Sequence, residues 1–74
     1  MTWNDLVCFA QSCGGYPVLG CIIFTRKDSM RTELIFDPSG LVYVEDRTDR
    51  VILAYNCPLD RMLKIMDVLS KSFS

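Results

Sequence analysis

The stretch that most constrains this chain is Leu34-Ile-Phe-Asp-Pro-Ser-Gly-Leu-Val-Tyr-Val44, two apolar runs joined by a turn. Asp37 can bond back to its own backbone, Pro38 presets φ, Ser39 follows, and Gly40 supplies the positive φ that closes a three-residue hairpin loop. That loop places Phe36 opposite Val42 and Leu34 opposite Val44 on one face, with Ile35 and Tyr43 on the other. Whatever else folds here must be built outward from this hairpin.

Ahead of it, Thr2 followed by Asp5 is a capping-box start, and Trp3, Leu6, Val7, Ala10 and Cys13 then repeat at helical spacing until Gly14-Gly15 ends the helix. Val18 to Arg26 is apolar on both parities and rich in β-branched and aromatic residues, which predicts one strand covered on both faces over much of its length. Arg26 to Met30 is the loop into the hairpin. After the hairpin, Asp46-Arg-Thr-Asp49 turns into a fourth strand, Val51-Ile-Leu-Ala-Tyr55, which Asn56-Cys-Pro-Leu breaks. From Leu59 on, Leu59, Met62, Leu63, Met66, Leu69 and Phe73 form one stripe, with Asp60, Lys64, Asp67 and Lys71 away from it: an amphipathic helix. The expected fold is a single α+β domain over residues 1–74, α-β-β-β-β-α, in which a four-stranded antiparallel meander carries both helices on one face.

The register identifies the other face. A four-residue loop pairs Glu45 with Arg50 and sets Tyr43 opposite Ile52. Pairing Thr25 with Arg31 places Cys21 opposite Ile35 and Ile23 opposite Glu33. The second face then carries the row Cys21, Ile35, Tyr43 and Ile52, rimmed by Glu45 and Arg50. Two helices on one face leave this row without cover, and burying each large apolar side chain in it is worth roughly 1.5–3 kcal/mol; the alternatives are helices split across the two faces or a row tolerated as surface. These six residues are the candidate partner-binding site.

Composition narrows the function classes. At 74 residues there is one core, with half of the residues apolar and 23% charged. A chain of this size carries a net stability on the order of 4–11 kcal/mol. Without histidine the commonest general base and metal ligand are missing. The four cysteines, Cys8, Cys13, Cys21 and Cys57, form no Cys-x-x-Cys pair and sit in or beside apolar periodic segments, so they read as reduced core thiols rather than disulfides or a zinc site. Gly14-Gly15 precedes Tyr-Pro instead of a helix, which excludes a phosphate loop. No cofactor, metal or small-molecule substrate is indicated.

A net charge of −1 gives no field that would draw nucleic acid or an anionic membrane. Arg26, Lys27, Arg31, Arg47 and Arg50 gather near Glu33, Glu45, Asp46 and Asp49 at one end of the meander, as a salt-bridge network or a mixed-charge rim. The longest apolar run is too short to span a bilayer and the first residues lack a basic signal-peptide start, so the expectation is a cytoplasmic protein. These readings converge on a non-catalytic interaction module that binds itself, as a homodimer, or another protein. Regulators, inhibitors, assembly subunits and phage-encoded anti-host or anti-defence proteins are of this kind. The alternatives are a nucleic-acid-contacting domain using Tyr43 and the nearby basic residues, and a cysteine-dependent enzyme.

Overall fold

In the computed structural model, which describes residues 1–28 and 31–73, the Thr2 N–H donates to Asp5 Oδ2 (2.9 Å) and the Asp5 N–H donates to Thr2 Oγ1 (3.2 Å), opening α1 (Trp3–Ser12) with the expected capping box. The same helix ends in a Schellman motif. Gly14 takes φ 97°, the Gly15 N–H donates to the Ala10 carbonyl at 2.7 Å and the Gly14 N–H to that of Gln11 at 3.4 Å.

The sheet that follows has five strands rather than the four expected: β1 (Tyr16–Val18), β2 (Cys21–Thr25), β3 (Glu33–Phe36), β4 (Val42–Glu45) and β5 (Arg50–Ala54), antiparallel and adjacent in chain order. The expected Val18–Arg26 strand is broken at Leu19-Gly20. Both residues have positive φ, 50° and 84°, so a two-residue hairpin turn of the primed type folds Val18 back against Cys21. Leu19 is fully exposed and gains no packing for its left-handed backbone. Leu19→Asn is therefore expected to stabilise the fold by about 1 kcal/mol, because asparagine tolerates that region. A denaturant midpoint that fails to rise would contradict the turn assignment.

The central hairpin matches expectation, with Leu34 opposite Val44, Ile35 opposite Tyr43 and Phe36 opposite Val42, and the same register adds Glu33 opposite Glu45. In its loop the Gly40 N–H donates to the Asp37 carbonyl and the Ser39 N–H to Asp37 Oδ1, each at 2.9 Å. Glu45 pairs with Arg50 and Tyr43 with Ile52, also as expected. A bulge then inserts Leu53, so that Val42 faces Ala54. Of the Arg26–Met30 loop, Ser29 and Met30 lie outside the described residues, as does Ser74.

The β2–β3 register differs from expectation by two residues. Ile23 faces Ile35 and Thr25 faces Glu33, so Cys21 is not opposite Ile35 but two positions further along, beside Asp37. A shift of two preserves which side chains share a face. It also aligns Ile22 with Phe36 and Phe24 with Leu34, matching large core side chains across strands, and removes the expected Ile23–Glu33 mismatch.

Both helices pack on the same face of the sheet. Leu6 and Ala10 of α1, and Met62 and Met66 of α2 (Leu59–Phe73), enclose Ile22, Phe24, Leu34, Phe36 and Val42. Phe24 and Phe36 meet edge-to-face with centroids 6.0 Å apart. The Pro58 carbonyl accepts the Met62 N–H and starts α2. Gly15 must lack a side chain here, since a Cβ would stand 2.7 Å from the Phe24 ring.

Candidate functional site

Helices on one face leave the other to the strands alone, and the register lines up Tyr16, Ile23, Ile35, Tyr43 and Ile52 across all five of them. Three of the expected site residues, Ile35, Tyr43 and Ile52, stand in this row. Cys21 shares the face but lies beside the row, next to Asp37. Tyr16 and Ile23 were missing from the expected set. Tyr16 lies ahead of the expected Val18–Arg26 strand, and the expected register sets Ile23 opposite Glu33 instead of Ile35.

The row is partly closed by its own members. Ile35 at its centre is only 5% exposed, flanked by Ile23 and Tyr43, so it supports the surface more than it presents it. Ile23, Tyr43 and Ile52 are half-buried, and Tyr16 is exposed. At one end Arg50 donates from Nε (3.0 Å) and Nη2 (2.7 Å) to Glu45 Oε2, and its guanidinium carbon lies 4.6 Å from the centre of the Tyr43 ring. Partial burial pushes the Tyr43 phenol up from its ordinary value, and Arg50 pulls the other way. Tyr16 Oη and Thr25 Oγ1 share a hydrogen bond of 2.6 Å across β1 and β2.

At the other end the Cys21 thiol donates to Asp37 Oδ2 at 3.5 Å. Burial first, and then the Asp37 charge, push the thiol pKa up, so Cys21 stays protonated at neutral pH and is a poor nucleophile. All four cysteines are free. Of them Cys57 is buried in the core and Cys13 is half-buried against it, whereas Cys21 is half-buried on the other face and Cys8 is exposed, so the core expectation holds at two positions. Among the described residues no three potential ligands from His, Cys, Asp and Glu gather as a metal site would require, and no helix is long and apolar enough to cross a membrane.

Three turn and cap carboxylates are favoured in their charged form by backbone N–H groups. Asp37 is held below the usual carboxylate range chiefly by the Ser39 N–H, Asp46 by the N–H groups of Thr48 and Asp49, and Asp5 by that of Thr2. A depressed folded pKa gives stability that is complete above the unfolded value of about 3.9 and is lost as pH falls through the folded one. The melting midpoint is therefore expected to fall on acidification below about pH 4. Replacing all three with asparagine should flatten that decline, and an unchanged decline in the triple variant would place the acid sensitivity elsewhere.

Away from this face, Leu53 and the α2 residues Arg61, Lys64, Ile65, Val68 and Leu69 line an open groove of about 440 Å³ with an apolar floor. A second hollow of about 290 Å³, lined by Arg31, Thr32, Asp46, Arg47 and Thr48, lies at the charged end of the hairpins. The groove was not expected from the sequence. Its signal was Ile65 and Val68, which widen the apolar side of α2 beyond the stripe that meets the core.

No protein-family model, curated protein or solved structure matches this chain.

Proposed function

We propose that this chain is a non-catalytic protein-binding module that docks its uncovered sheet face against a protein partner, as a regulator, inhibitor or assembly subunit does. The observation that carries the reading is the apolar row spanning all five strands with no layer over it among the described residues. A sheet whose two faces are both apolar gains stability by burying the second as well as the first. Tyr16, Ile23, Tyr43 and Ile52 supply the contact area, Ile35 holds them in place from beneath, and the Glu45–Arg50 pair with Glu33 forms a polar rim at one end. An aromatic and aliphatic centre with a charged edge is the usual anatomy of a protein interface.

The same geometry disfavours the two alternatives. A base stacking on Tyr43 would compete with the guanidinium of Arg50 for the ring face, and Glu45 already neutralises the cation nearest that ring. Cysteine chemistry lacks a thiolate at Cys21 and a histidine anywhere. Capture of the partner from source-cell extract at low and at high salt separates the readings. A protein retained equally at both salt levels supports docking through an apolar face, whereas retention of nucleic acid, lost steeply as salt rises, would overturn it.

A further inference from the structure

The outer side of α2 is not uniform. Arg61, Lys64, Ile65, Val68 and Leu69 follow one another at i, i+3, i+4, i+7 and i+8, one continuous helix face, and with Leu53 of β5 they line the groove of about 440 Å³. Ile65 and Leu69 are half-buried in its floor, and Val68 is 67% exposed. Both cations stand at the end nearer the start of α2. Among the described residues no carboxylate lines the groove, and neither Arg61 nor Lys64 forms an ion pair. Arg61 also lies in the first turn, where the helix dipole disfavours a positive charge, so helix stability does not account for it.

We infer that this groove is a second docking site, which takes an acidic amphipathic helix of a partner protein with apolar side chains on the floor and carboxylates on Arg61 and Lys64. Charge complementarity names the occupant. Two exposed cations beside an apolar floor suit a segment that carries carboxylates one turn away from leucine-like side chains. A second copy laid groove on groove brings no carboxylate to either cation. An anionic membrane gains only about 2 kcal/mol from two cations, and the net charge of −1 opposes its approach.

The shape favours a helix over an added strand. The bulge at Leu53 interrupts the ladder along β5, so a strand laid on that edge finds no regular run of partners. From Arg61 to Leu69 the helix advances about 12 Å, the length of roughly two turns of a bound helix. The rows Arg61–Ile65–Leu69 and Lys64–Val68 are i, i+4 ridges with a furrow between them, the relief into which a packed helix sets its own ridge.

The groove is separate from the sheet face, so Tyr43→Thr leaves its binding unchanged. The test is a nuclear magnetic resonance titration of the isotope-labelled full chain with stapled helical peptides that place two glutamates one turn from three leucines, in both orders along the peptide. The tighter of the two is expected to shift the amide resonances of Leu53 and of α2 from Arg61 to Leu69 and to saturate, and its glutamate-to-lysine version to bind about tenfold more weakly. Val68→Asp, at a side chain 67% exposed, should keep the fold and lose the peptide. The double variant Arg61→Glu, Lys64→Glu should reverse the preference and bind the lysine peptide more tightly than the glutamate one. Equal binding of both peptides by the wild-type chain overturns the inference, as does the absence of saturable binding, or shifts centred on Tyr43. Groove shifts that grow with protein concentration alone would put a second copy there instead, and groove shifts caused by phosphatidylserine vesicles but by neither peptide would put a membrane there.

Discussion

Phe36→Asp is expected to abolish the cooperative unfolding transition, leaving a chain with no folded baseline by circular dichroism. Phe36 is fully buried, meets Phe24 edge-to-face, and is opposed by Ile22 and Val42 on the neighbouring strands. Truncating a buried phenylalanine alone costs about 3–5 kcal/mol. A carboxylate in the same place adds the desolvation of a charge without a partner, or of the proton it must take up, at several kcal/mol more. Against a total stability on the order of 4–11 kcal/mol the fold does not survive. Ile35, one residue away, is on the opposite face, yet its 5% exposure means that Ile35→Asp also destabilises strongly, although no helix covers it. Tyr43→Thr, at a half-buried position and with β-branching retained, should keep the transition. A near-native melting curve for Phe36→Asp would contradict the face assignment on which the whole architecture rests.

Gly40→Val is expected to cost about 3–5 kcal/mol, more than the turn alone would predict. Gly40 has φ 104°, a region that a β-branched residue occupies only under strain. The second constraint comes from the chain that leaves β5. The Cys57 N–H donates to the Gly40 carbonyl at 2.8 Å, and a Cβ at Gly40 would stand 2.9 Å from the Asn56 Cα and 3.0 Å from the Cys57 nitrogen. Those are backbone atoms with no rotamer to move, so either the hairpin loop or the entry to α2 must shift. Gly40→Ala, which adds only the Cβ, should show a large part of the same loss in a urea titration. A valine variant with an unchanged midpoint would mean that this close approach is not held in solution.

Both predictions rest on parts of the structure that local rules make legible. The capping box at Thr2 and Asp5, the paired glycines that end α1, the Asp37–Gly40 loop and the Glu45–Arg50 pair each depend on residues within a few positions of one another, and each forms as expected. Where the chain hides its structure, a local preference is overridden or silent. Leu19 adopts a left-handed backbone that leucine disfavours, so the β1–β2 turn carries no Asn-Gly or Asp-Gly signal and reads as continuous strand. The β2–β3 connection sets no register of its own. Alternatives two residues apart bury the same face, and packing of Ile22 and Phe24 against Phe36 and Leu34 decides between them. The candidate face was legible in its parity and in three of its row members, Ile35, Tyr43 and Ile52. The groove beside β5 was not, because it depends on the bulge at Leu53, and nothing within β5 announces an extra residue there.

Parallel capture with the wild-type chain and Tyr43→Thr tests the claim that the uncovered sheet face is the working surface. The two chains are first matched for folding by their melting curves, then exposed to the same source-cell extract, and the mass of each native complex is measured. The wild-type chain is expected to hold a protein in a fixed ratio, and Tyr43→Thr, equally folded, to release it. Retention of the same protein at the same ratio by Tyr43→Thr would contradict the claim and move the working surface off the sheet face.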